Sequence, residues 1–258
     1  MPVLSANGET IHYVSEGAGP AVVLIHSLGS SVHMWRDQIA GLKDRYTAIA
    51  CDARGHGKSS AKGECSVAAA AQDLKAVLDH LGIAECHLVG ISTGGPVALT
   101  FGAQWPNMMR SLVLADSFAK PVDGSKERVE ATAEAIAYVS MEEFGTQYAA
   151  ESLLSSTSLE VQDELAGMIA KMNPKVYIEM MRSALLGDFR SMLPAIKTPT
   201  LVLVGESDTI TPKEESEFIV QNIPTATLEI IPAAGHLSYL DNPAAFTAAL
   251  RRFLDPIS

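Results

Sequence analysis

Short apolar runs recur along the chain between segments of helical periodicity. Ala21–Ile25, Tyr46–Cys51, Cys86–Ile91, Ser111–Ala115, Thr200–Val204 and Ala226–Ile231 are each of strand length. Most are apolar at consecutive positions, the pattern of strands covered on both faces. Residues 9–15 alternate instead, which predicts an early edge strand. In 66–81, Val67, Ala70, Ala71, Leu74, Val77, Leu78 and Leu81 form one apolar stripe. Ser66 is its expected N-cap and Gly82 its stop. Residues 93–105 carry Val97, Phe101 and Trp105 at intervals of four, and Pro96 is tolerated in a first turn. Segments 214–221 and 243–254 read as further helices. Alternation of this kind predicts an α/β fold with a doubly wound, mostly parallel sheet.

The alternation lapses between 118 and 190. That stretch predicts three or four helices and no strand, punctuated by Gly124, Gly145, Asn173-Pro174 and Gly187. A helical insertion between two strands belongs over their carboxyl ends, where α/β sheets bind ligands. The expected organisation is a core of 1–117 and 191–258 with a helical cap, 118–190, inserted between core strands. Met168 and Met172, and Met181 near Leu185, lie at helical spacing within it. They suit an adaptable apolar pocket, and packing between cap and sheet accounts for them equally well.

Composition narrows the classes. With 258 residues, 47% of them apolar and 19% charged, the chain can bury a large core. No apolar run approaches the ~20 residues of a membrane helix. Met1–Ser5 lacks the basic patch and apolar region of a signal peptide, so the expectation is a cytoplasmic protein. The net charge of −11 and the lack of a Lys/Arg cluster argue against nucleic acid as a partner. Cys51, Cys65 and Cys86 have no metal-ligand spacing and are expected to be reduced thiols; no metal is expected.

The sharpest chemical signal is Gly90-Ile91-Ser92-Thr93-Gly94, set between an apolar run and a helix. This is the setting of a nucleophile elbow, in which glycines permit a tight turn around a strained serine. A serine hydroxyl needs a base, and the base an orienting carboxylate. Of the seven histidines, His236 lies in a loop just after the last strand. His12, His33, His80 and His87 are expected to be solvated on strand or helix surfaces. Asp208 follows the strand 200–204, and the order Ser92, Asp208, His236 is that of a Ser…Asp…His triad. Asp116, after the strand 111–115, and Glu206 are alternative acids. For an oxyanion hole, the backbone N–H of Thr93 and that of Leu28, in His26-Ser27-Leu28-Gly29, are the candidate donors. His26 itself is read as a structural hydrogen-bonding residue in that loop rather than as a base.

With these motifs the chain resembles the α/β-hydrolase fold family over nearly its whole length. Asp52-Ala53-Arg54-Gly55-His56-Gly57-Lys58-Ser59 is similar to the family's D-x-R-G-x-G-x-S segment, which implies structural roles for Asp52, Arg54 and His56. His26–Gly29 followed by His33-Met34-Trp35 resembles 3-oxoadipate enol-lactonases and related small esterases, and brings Trp35 in as a further pocket candidate. The resemblance implies an eight-stranded sheet. A serine at the elbow separates the chain from the epoxide hydrolase and haloalkane dehalogenase branches, which use aspartate there.

The expected function is therefore hydrolysis of a small ester or lactone through Ser92, Asp208 and His236, with no cofactor. A C–C bond hydrolase acting on a vinylogous diketone, and an amidase or lactamase, would use the same triad. A receptor or regulator of the same fold is the non-catalytic alternative. The partner is a small molecule rather than nucleic acid or a membrane, and a homo-oligomer is left open.

Overall fold

A computed structural model describes residues 2–257. Its eight strands are β1 (Val3–Ala6), β2 (Glu9–Glu16), β3 (Ala21–Ile25), β4 (Thr47–Cys51), β5 (Cys86–Ile91), β6 (Met109–Ala115), β7 (Thr200–Gly205) and β8 (Ala226–Ile231). They form one sheet in the order β1-β2-β4-β3-β5-β6-β7-β8. From β4 through β8 every pairing is parallel, whereas β2 joins β1 and β4 antiparallel. The alternating run 9–15 is therefore an interior strand; the short, half-exposed β1 takes the edge. Burial accounts for the continuous apolar runs, since every residue of β3, β5 and β7 is buried and both their faces are covered.

Between the strands run α1 (Arg36–Leu42), α2 (Val67–His80) and α3 (Gly94–Gln104). The Ser66 side chain accepts from the Ala69 amide and caps α2. Helix α1, seven residues after a short turn, has too little periodicity to be read from sequence. Four helices lie between β6 and β7: α4 (Ser125–Tyr138), α5 (Met141–Ser152), α6 (Leu159–Ala170) and α7 (Pro174–Leu185). The chain closes with α8 (Lys213–Asn222), the single turn α9 (Ser238–Asp241) and α10 (Pro243–Leu254). Helix α1 packs on α10 and α2 on α3, while α8 lies against β7 and β8. Among the described residues no helix is long and apolar enough to cross a membrane.

The chain winds from β3 outward to β4 and then returns to β5 on the other side of β3. Strand order thus reverses between β3 and β5, and a crevice forms beyond their carboxyl ends. The loops leaving that end of the sheet carry His26–Gly29 and Ser92.

Candidate active site

Ser92 sits between β5 and α3 at φ +52°, in the left-handed region that is uncommon for a side-chain-bearing residue. Two glycines make this turn feasible. A Cβ on Gly90 would collide with the Gly94 carbonyl, and one on Gly94 with the Ile25 carbonyl of β3. The turn is tied down through the Ser92 amide, which donates to the Ala115 carbonyl (2.9 Å), and the Ser92 carbonyl, which accepts from Ser117 Oγ (2.8 Å).

The structure brings together the three residues singled out by motif. Ser92 Oγ lies 2.9 Å from His236 Nε2, and His236 Nδ1 lies 3.1 Å from Asp208 Oδ2. All three are buried. Asp208 Oδ1 accepts from the amides of Ile210 (2.9 Å) and Thr211 (3.0 Å), while Oδ2 accepts from Thr211 Oγ1 (2.7 Å). Burial works against the Asp208 charge, but His236 and the Thr211 donors outweigh it and hold the carboxyl below its usual range. Thr211 Oγ1 also lies 3.2 Å from His236 Nδ1, a contact that the motifs did not single out.

The two alternative acids have other partners. Asp116 Oδ1 accepts from the Gly205 amide (2.7 Å), and its Oδ2 from the Ser238 amide (3.0 Å) and hydroxyl (2.5 Å). It thereby joins the end of β7 to the turn that follows His236. Burial, with Asp208 nearby, pushes the Asp116 carboxyl well above the carboxylate range. Glu206 accepts from the Ala233 amide (3.0 Å) and braces the loop before His236.

His26 is held as a neutral ring. Its Nε2 accepts from the Ala53 amide (3.0 Å), so Nδ1 donates to the Ser27 carbonyl (2.8 Å), and burial lowers its pKa. Asp52 accepts from the Val32 and Lys58 amides and from His12 Nδ1, tying the loop 26–35 to the loop 52–59. Arg54 forms a buried two-bond pair with Asp73. His56 donates to the Arg54 carbonyl, and burial pushes its pKa down to about 3. These residues hold loops in place and lie outside the Ser92–His236–Asp208 chain.

A cavity of about 480 Å³ opens onto Ser92 and His236. Leu28 and Thr93 line it beside Ser92, and Phe118, Phe144, Tyr177 and Met181 supply much of its apolar wall. Met181 is thus where the pocket expectation put it, and three other pocket candidates are not. Trp35 is fully buried and stacks on Tyr239 at 4.4 Å between ring centroids, with Phe246 beyond, so it is core. Met168 on α6 and Met172 just after it line a separate cleft bordered by α1 and the loop 52–58, and neither lines the cavity at Ser92. Nor are His12 and His87 solvated: both are buried, His12 on Asp52 and His87 Nδ1 2.8 Å from Ser111 Oγ. Among the described residues no cluster of three or more His, Cys, Asp or Glu could hold a metal ion.

Comparison with known proteins bears on the family and the fold. Residues 20–243 match the model of a family described as alpha/beta hydrolase fold. The chain is 30% identical to 3-oxoadipate enol-lactonase 1 of Acinetobacter baylyi over 99% of its own length and 97% of the relative. Among solved structures, an esterase of Thermogutta terrifontis aligns at a TM-score of 0.89 and 29% identity, over 99% of this chain and 97% of that one. The enol-lactonase of Burkholderia xenovorans shares the fold, with a TM-score of 0.91 at 24% identity over 98% and 100% of the two chains.

Proposed function

The chain belongs to the α/β-hydrolase fold family, and from that premise we propose that it is a carboxylic ester hydrolase, cleaving a small ester or lactone through an acyl-enzyme on Ser92. The observation that carries this reading is the Ser92 Oγ–His236 Nε2 contact of 2.9 Å, backed by Asp208 on the opposite ring nitrogen.

Asp208 holds the Nδ1 proton of His236, leaving Nε2 as the acceptor. As Ser92 Oγ attacks the carbonyl carbon, Nε2 takes its proton, and the carbonyl π pair moves onto oxygen. The amides of Leu28 and Thr93 receive that oxyanion, Thr93 from the start of α3 and Leu28 from the loop after β3. Collapse of the tetrahedral intermediate breaks the bond to the alcohol oxygen, which takes the proton from His236. Water then repeats the sequence on the acyl-enzyme, its proton passing to His236, and the free acid leaves. Three side chains and two amides thus account for every proton and developing charge.

Residues 118–190 act as a cap in this reading: α4, α5 and α7 wall the cavity in which the acyl or lactone portion lies. The enol-lactonase and esterase among the relatives favour an ester or lactone over a diketone.

A fluorophosphonate should label Ser92 stoichiometrically, and Ser92→Ala should lose both labelling and turnover of short p-nitrophenyl esters. Normal ester turnover by Ser92→Ala would refute the acyl-enzyme. A panel of esters, lactones and a vinylogous diketone then separates the reaction types; turnover of the diketone alone would replace ester hydrolysis by C–C cleavage.

A further inference from the structure

We infer that the cavity selects uncharged substrates, esters or lactones with an apolar acyl portion, over isosteric substrates that carry a carboxylate. This rests on the ester-hydrolase reading and concerns the charge of what that site accepts. The cavity wall next to Ser92 is built from Phe118, Val122, Phe144, Tyr177, Met181 and Leu185, which offer an acyl chain apolar and aromatic surface. Tyr148 and Tyr177 also face the cavity, and burial keeps both phenols neutral.

The fixed charges around this apolar wall lean negative. Among the described residues, Arg128 is the one lysine or arginine lining the cavity, against the carboxylates of Asp123 and Glu151. Asp208, ionised, stands behind His236. None of the other cations between 118 and 190 lines the cavity. Lys120 pairs with Glu215 (2.7 Å), Lys175 with Glu179 (3.6 Å) and Arg190 with Asp188 (2.5 Å). Lys171 lines the separate cleft near α1. A substrate carboxylate would enter a mouth holding two negative charges for one positive, on a protein of net charge −11. Like-charge juxtaposition of this kind penalises the wrong partner, and a field focused by apolar walls acts on the encounter rate. The same field assists product release. Hydrolysis of a neutral ester frees an acid that loses its proton, and the resulting carboxylate is repelled from the site.

The test compares p-nitrophenyl hexanoate with mono-p-nitrophenyl adipate, whose acyl chains differ in ending in methyl or carboxylate. At low ionic strength the neutral ester should be preferred by about tenfold in kcat/KM, with the ratio shrinking in ~0.5 M NaCl as the field is screened. Asp123→Asn with Glu151→Gln should lower the ratio, and Arg128→Gln should raise it. Equal or better turnover of the adipate monoester, or a ratio that ignores the double substitution, would overturn the inference while leaving the ester hydrolase intact. A wild-type preference for the adipate monoester that is lost in Arg128→Gln would identify that residue as a carboxylate clamp and overturn it likewise. If neither ester is hydrolysed, the ester-hydrolase reading itself falls and this inference with it.

Discussion

Asp116 offers a sharp test of how the acid and base loops are held. Its carboxyl group receives three donors, one from the end of β7 at Gly205 and two from Ser238, two residues beyond His236. Asn is close in shape and tolerates the left-handed backbone found here, φ +45°. It offers one acceptor oxygen where Asp offers two. Whichever way the amide is turned, its NH₂ faces either the Gly205 N–H or the Ser238 N–H, and that amide is left buried without a partner. An orphaned buried donor costs about 1–3 kcal/mol, so Asp116→Asn should lose that much stability. Asp116→Ala, which strands all three donors, should lose more. The pH dependence has a definite sign. A carboxyl whose folded pKa is raised contributes stability at low pH that is lost as pH rises through that folded pKa. Asparagine does not titrate, so its deficit relative to wild type should be larger at about pH 5 than at about pH 8. Urea denaturation at both pH values reads the deficit as a shift in midpoint at constant slope. Ester turnover shows whether the His236 loop has moved. A deficit under ~0.5 kcal/mol, within the range of an ordinary surface substitution, together with unchanged turnover, would refute the bracing role. So would a deficit that grows with pH.

Three further expectations follow from the site. Thr211→Val removes a hydroxyl shared by Asp208 Oδ2 and His236 Nδ1; kcat should fall with KM little changed, and Thr211→Ser should restore it, whereas loss in both variants would point to packing instead. Gly94→Ala should destabilise by at least the ~1–3 kcal/mol of an overpacked site, because the new Cβ meets the Ile25 carbonyl and backbone cannot swing aside; thermal denaturation and fluorophosphonate labelling read the two losses. Met181→Ala should raise KM for longer acyl esters while Met168→Ala leaves it unchanged, since only Met181 faces the cavity at Ser92; the reverse result would mean the substrate occupies the other cleft.

Legibility from sequence followed a physical divide. Ser92, Asp208 and His236 stand out in the sequence because each follows a strand-length run, where turn chemistry and chain order both constrain the reading. Strands β3, β5 and β8 begin and end where their apolar runs do. What failed was the direction of individual side chains. Trp35 ends a single 3-10 turn, Val32–Trp35, and nothing in local sequence says that its ring points toward Tyr239 rather than toward Ser92. Met168 and Met181 have equivalent helical settings, and the packing of α6 and α7 alone decides that they face different cavities. His12 and His87 looked polar and therefore exposed, but both are buried, with Asp52 and Ser111 each taking up one ring nitrogen. Thr211 escaped notice because its role depends on two partners brought near it by the fold. Nothing in local sequence separates Arg128 from the other cations of 118–190, and only the three-dimensional wall of the cavity does so.

Ser92 and His236 are 144 residues apart in the chain, and Asp116 reaches 122 residues to its Ser238 partner. Nothing local can join them; they meet only when β5, β6, β7 and β8 have paired in parallel, a non-local and intrinsically slow event. In refolding, helical signal should therefore return well before hydrolytic activity. Catalysis in this chain would mark the end of folding, and its recovery time would measure how long the sheet takes to close.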